Sequence, residues 1–219
     1  EGLVAFDGYG AARGAMRVSE TVAEWDGTNL RAYLAQMHGH LKRDGVLFLN
    51  RKQMLFSRLD PLFESGRTDE FHAEGRWAAA GEADPEPEGP AKVGVVFGPQ
   101  YGPISARMVE EVIRPAQRRY DDLVFAGFAF DGPAVETIRA AASAHPKLRI
   151  HMAHIRPDVN PGMAGLLKET PGAQLFTVFG QPRVDAKKAR SEWTVTMEGV
   201  DVYDPVSNVI VPTKADKVA

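Results

Sequence analysis

The chain has 219 residues, 44% of them hydrophobic and 25% charged, with a formal net charge of −3, 15 prolines and 21 glycines. This is the composition of a globular protein of one large domain or two small ones, and it excludes a collagen, a coiled coil and a wholly disordered chain. The absence of cysteine excludes a disulfide framework and any thiolate metal site, so a metal would need histidine and carboxylates.

No apolar run approaches the roughly 18 residues that cross a bilayer, and the first residues lack the basic and apolar regions of a signal peptide. A cytoplasmic protein with no membrane partner is expected. Residue 1 is Glu, and the pattern opened by residues 214–219 stops, which reads as a piece of a longer polypeptide. Charge is unevenly spread. Residues 1–90 hold 10 basic and 15 acidic side chains, a net −5, whereas 91–219 hold 16 and 14, a net +2.

In chain order, residues 11–24 and 28–42 read as helices. In the second, Leu30, Tyr33, Leu34, Met37 and Leu41 recur at three- and four-residue steps, and Gly45 lies just beyond its end. Residues 46–49 form a short buried strand, and 54–63 a mixed segment of no clear type. From 78 to 90 the sequence AAAGEADPEPEGP carries no large apolar residue and predicts an exposed linker between a helical or mixed segment, 1–77, and an α/β domain, 91–219, that continues past the end of this piece.

Beyond the linker, apolar strands at 93–97, 123–128, 148–155 and 174–179 alternate with helices at 104–120, 133–144 and 162–168. Short continuous apolar strands separated by amphipathic helices predict a parallel sheet covered on both faces. The expected fold is therefore α/β: a small Rossmann-like, mostly parallel sheet with flanking helices, a helical N-terminal segment, and C-terminal antiparallel strands at 193–197, 200–203 and 209–211.

In such a sheet, ligands sit beyond the carboxyl ends of the strands, which directs attention to the loops at 98–103, 128–132, 154–158 and 180–183. The first has glycines but not the GxGxxG order, and its prolines remove donors that a phosphate cradle needs; Ser105 serves as a helix cap there. Asp131, in Asp-Gly-Pro-Ala, reads either as a strand-end acid or as a helix N-cap. The segment His151-Met-Ala-His154-Ile-Arg156-Pro-Asp158 is the densest polar cluster, but the three-residue step sends His151 and His154 to opposite faces of a strand and disfavours a shared metal. An independent α/β enzyme or nucleotide-binding domain would rest on Asp131, His154 and Asp158.

The one basic stretch, 147–190, sets eight Lys and Arg against Asp158, Glu169 and Asp185. A face of that sign serves either as a solvated rim or as a contact for a polyanion, and the candidates for nucleic-acid contact are Arg149, Arg156, Arg183, Lys187, Lys188 and Arg190. The last three are expected at an exposed hairpin tip. No GxSxG elbow, HExxH or Walker lysine occurs, and the residues by themselves assign no reaction.

Several phrases in order, KVGVVFGPQYGP from Lys92, LVFAGFAFD from Leu123, HIRPDVNPGMAGLLK from His154, QLFTVFGQPRV from Gln174 and MEGVDVYDPVSN from Met197, resemble the C-terminal region of large prokaryotic adenine-specific DNA methyltransferases of restriction-modification or phage-defence systems. The similarity spans about residues 59–219, including FHAEG from Phe71. It implies a non-catalytic C-terminal domain that contacts DNA or a partner subunit such as a helicase or nuclease. In the parent, S-adenosylmethionine would be the cofactor; this piece would hold none. The family's DPPY-type tetrapeptide, which clamps a flipped base, and its FxGxG-type cofactor loop are missing. The nearest tetrapeptide, Tyr203-Asp-Pro-Val206, has an aliphatic residue in place of the stacking ring, so no catalytic residue carries over. A protein-docking scaffold is the remaining alternative.

Overall fold

The computed structural model describes residues 27–49, 51–63, 70–157, 174–190, 192–204 and 209–214; the helices expected at 11–24 and 162–168 lie outside the described residues. Helix α1 (Gly27–Asp44) leads into β1 (Val46–Phe48), β2 (Gln53–Pro61) and β3 (Ala73–Ala79). There follow β4 (Val93–Phe97), α2 (Ala106–Arg119), β5 (Asp122–Gly127), α3 (Gly132–Ala144), β6 (Arg149–Ile155) and β7 (Phe176–Val178). A final sheet comprises β8 (Gln181–Ala189), β9 (Glu192–Asp204) and β10 (Val209–Lys214).

The first seven strands close into a barrel in sequence order. Pairs β1–β2, β2–β3, β3–β4 and β6–β7 are antiparallel, β4–β5 and β5–β6 parallel, and β1 meets β7 in parallel through Leu47↔Thr177 and Phe48↔Val178. The expected Rossmann-like sheet is thereby corrected to a closed, mixed barrel. Its β4-α2-β5-α3-β6 portion has the anticipated strand–helix rhythm, but antiparallel neighbours flank it on both sides and the two ends of the sheet join.

Helices α2 and α3 cover only the outer face of these strands. Along β5, Val124 and Ala126 point into the barrel core whereas Leu123 and Phe125 pack beneath α2 and α3. Those strands read as continuous apolar runs because both faces are buried, the outer by α2 and α3 and the inner by the barrel core. The interior is filled by Phe48, Phe97 and Phe176 together with the stripe Tyr33, Leu34, Met37 and Leu41 of α1. Helix α1 stops at Gly45, whose φ of 62° is left-handed and whose Cβ position lies 2.1 Å from the carbonyl oxygen of Met54, so only glycine lets the chain turn directly into β1.

Residues 80–92 connect β3 to β4, neighbours in the one barrel. The loop is exposed but tied down at Asp84, whose carboxylate accepts two hydrogen bonds of 2.9 Å from the buried Arg76 guanidinium and one of 2.7 Å from Ser57 Oγ. These donors hold the Asp84 carboxyl far below the usual carboxylate range. No helix among the described residues is long and apolar enough to cross a membrane.

Candidate nucleic-acid interface

The C-terminal sheet is a meander in the order β10-β9-β8. Alternating Trp193, Thr194, Val195 and Thr196 favour an extended strand, and Arg190, at a φ of 53°, stands in the turn across which Ala189 pairs with Glu192. The register places Val184, Ala186 and Lys188 opposite Met197, Val195 and Trp193. Strand alternation sends these six side chains to one face and Asp185, Lys187, Thr194, Thr196 and Glu192 to the other.

The sheet meets the barrel at its base. Val200 is buried beside Leu49 and Gly180, and Lys52 Nζ bonds Asp204 at 2.8 Å; within the sheet, Arg183 pairs with Asp201 at 3.3 Å. Residues 192–198, in contrast, are exposed on both faces, so the outer half of the hairpin stands in solvent. Its register shifts between Arg183 and Val184, which leaves Glu198 as the extra residue of a bulge. Gly199 follows, with φ 153° and a Cβ position only 1.8 Å from the carbonyl oxygen of Thr213, so a side chain there would push β10 away.

Of the six basic candidates, the fold gathers three. Lys187 is exposed and bonds Asp185 at 2.8 Å, Lys188 Nζ lies 5.6 Å from the centre of the Trp193 ring, and Arg190 occupies the tip. Arg183 sits at the hairpin's base. Arg149 and Arg156 lie at opposite ends of β6, roughly 23 Å apart at about 3.3 Å per residue. Arg149 is committed to Asp122, donating from Nε at 2.8 Å and from its terminal nitrogen to the second carboxylate oxygen.

The alternative polar site is not assembled as a reaction centre. The Asp131 carboxylate accepts from the Ala134 N–H at 2.6 Å and caps α3, with Pro133 next in the first turn. His154 faces outward between Phe130 and Phe179, ring centres 4.9 and 5.4 Å away, and burial lowers its pKa. Asp158 lies outside the described residues. His151 faces inward, as the three-residue step requires, and among the described residues no group of three or more His, Asp or Glu is placed to hold a metal.

Two features escaped the sequence. One is the buried cluster around Asp122, whose carboxylate accepts from Arg149, from His151 Nε2 at 2.9 Å and from Trp77 Nε1 at 3.4 Å. Burial opposes its ionisation, but His151 and Arg149 outweigh that and hold its pKa below the usual value. A cavity of about 330 Å³ lies beside it, lined by Arg76, Trp77, Lys92, Asp121 and Arg149. Arg76 and Arg149 there are already ion-paired with Asp84 and Asp122, which marks this end of the barrel as structural. The other is the exposed apolar face of the hairpin: Trp193 is 63% accessible, Val195 64%, Val184 56% and Met197 45%. The signal was present as apolar residues at two-residue steps on both sides of the basic tip, but that pattern predicts a half-buried strand.

No protein-family model matches the chain, and neither a curated protein nor a solved structure matches it.

Proposed function

We propose that this chain is a non-catalytic domain of a cytoplasmic DNA adenine methyltransferase of restriction-modification or phage-defence type, and that it faces DNA through the β8–β9 hairpin. The supporting observation is the tip, where Lys187, Lys188 and Arg190 crowd one projecting turn held clear of the barrel. Long cations on a projecting two-stranded ribbon can follow a phosphate backbone, and each phosphate neutralised releases condensed counterions. In this reading S-adenosylmethionine and the base-clamping residues belong to other parts of the parent, and this chain positions nucleic acid for them.

The test is binding of labelled DNA by the full chain, followed by anisotropy across a salt series. A slope of roughly −2 to −3 in log K against log salt is expected for three phosphate contacts at about 0.9 each. Reversing Lys187, Lys188 and Arg190 to Glu should cost affinity and flatten the slope, while Asp131→Ala and His154→Ala leave binding intact. If no DNA binds at low salt, or the triple reversal changes nothing, the reading fails and a protein-docking role takes its place. The chain alone should also transfer no labelled methyl group from S-adenosylmethionine to adenine; transfer would overturn the non-catalytic assignment.

A further inference from the structure

We propose that the apolar face of the β8–β9 hairpin is a base-stacking platform, selective for single-stranded over duplex DNA. This rests on the DNA-facing reading above and deepens it, since phosphate contacts alone would not distinguish the two forms.

Three observations carry it. First, the face is open: Val184 and Ala186 on β8 stand opposite Met197 and Val195 on β9, and Trp193 at the outer end is 63% accessible. A large exposed indole has no folding role to explain it, and an indole presents a π-surface that stacks on any base. Second, the outer end of this face is cationic. Lys188, paired with Trp193 across the strands, lies over its ring at 5.6 Å, and the carboxylates of Asp185 and Glu192 fall on the opposite face. An anionic ligand can approach the outer end of the platform away from those two acids, with Lys188 and Arg190 there to take phosphates and Glu198 at the inner end beyond Met197. Third, the outer edge of β8 carries Pro182, Lys187 and Lys188, residue types that hinder pairing with a further strand and so argue against another polypeptide adding to this edge.

The spacing favours an unpaired strand. Trp193, Val195 and Met197 recur every two residues, about 6.8 Å along β9. That is twice the stacking rise of about 3.4 Å along one strand of a duplex, so the platform is laid out for bases drawn apart. In a duplex each base face is covered by its neighbours, and an indole reaches only an edge or a terminal pair; in a single strand the faces are free.

The experiment compares a labelled oligo(dT) with its duplex with oligo(dA), bound to the full chain, to Trp193→Ala, to Trp193→Phe and to the triple reversal of Lys187, Lys188 and Arg190. The single strand should bind at least about ten-fold more tightly than the duplex. Trp193→Ala should lose that preference, weakening single-strand binding by about ten-fold or more, while duplex binding stays unchanged; Trp193→Phe should keep most of it. The triple reversal should weaken both. Equal binding of the two forms, or a Trp193→Ala chain that still prefers the single strand, would overturn the platform and leave the phosphate contacts standing. Failure of both DNAs to bind overturns the DNA-facing reading itself. Because Trp193 is exposed, the variants should fold as the parent does, which circular dichroism checks.

Discussion

The barrel and the C-terminal hairpin handle their side chains in opposite ways. In the barrel, charges are buried and paired: Asp122, 3% accessible, is enclosed by Arg149, His151 and Trp77, and Arg76, 4% accessible, by Asp84. In the hairpin, apolar groups are exposed: Trp193, Val195, Met197 and Val184 face water. Burying charge is costly unless every partner is present, and exposing an indole forgoes the gain of removing it from water. The contrast teaches that polarity alone does not locate function. Here the buried polar cluster holds the fold together, and the exposed apolar face is available for a ligand.

The sharpest way to break that comparison is to cut the buried network. Asp122→Ala leaves Arg149 and His151 beside an emptied site, and removing one partner of a buried pair costs about 3–5 kcal/mol. Urea denaturation should show a loss of that order. A loss below about 1 kcal/mol would mean that water reaches the cluster freely and that the barrel's end is not a structural site.

The second test uses pH. His72 is half-buried and stacked against Phe97, its Nδ1 accepts the Phe97 N–H at 2.8 Å, and loss of solvent around the ring lowers its pKa to about 4. In the unfolded chain the imidazole returns to about 6.5. Between these values the unfolded state binds more protons, so the contribution is complete above pH ~6.5 and is lost as pH falls toward ~4, by up to roughly 3 kcal/mol. Asp122 and Asp84 act lower: their folded pKa values are depressed, so their contribution is present above the unfolded carboxylate value and disappears as pH falls through the folded one. Urea midpoints measured from neutral pH downward should fall in two stages. His72→Asn, which retains an acceptor but cannot titrate, should flatten the first stage only. A parent profile already flat between pH 6.5 and 4 would show that His72 protonates without opening the core.

These two tests address features of unequal legibility. The β4-α2-β5-α3-β6 unit could be read from the sequence because strands buried on both faces leave unbroken apolar runs, and because Ser105 and Asp131 stand where helices begin. Barrel closure could not, since it depends on two residue pairs between β1 and β7, strands only three residues long. Strand β2 was equally obscure: a register shift between Phe56 and Arg58 breaks the alternation that identifies a strand. For the site, the basic residues were visible as a run, but only the fold separates Arg149, paired inside the barrel, from Lys187, Lys188 and Arg190 on the hairpin. The alternation from Val184 to Met197 revealed strands. Which side stays open is decided by tertiary packing, where Val200 meets the barrel and Val195 does not.

A third, smaller effect tests how the two regions are joined. Gly199→Ala would place a methyl 1.8 Å from the Thr213 carbonyl oxygen, so β10 must move or β9 must lose its bulge. Strain of this kind costs about 1–3 kcal/mol, and here it falls on the C-terminal sheet. Hydrogen exchange should quicken in β9 and β10 near Gly199 and Lys214 while β4 to β6 keep their protection. Uniform loss across the barrel would show that sheet and barrel unfold as one unit.

The smallest expected effect is the most informative about the hairpin. Trp193→Ser removes the largest side chain of the exposed face, and a core tryptophan lost in this way would cost several kcal/mol through its cavity and its lost transfer energy. At Trp193 neither applies: the ring is 63% accessible, its charged neighbour Lys188 stays solvated without it, and the cross-strand pair contributes at most about 0.2–1 kcal/mol. The change in stability should stay within about 0.5 kcal/mol, as for surface substitutions in general. Val195→Thr, which keeps β-branching and loses only exposed apolar surface, should behave alike. A loss above about 1.5 kcal/mol from either change would mean that the face is covered in the free chain. The hairpin would then be a second core rather than an open surface, and its contrast with the barrel would disappear.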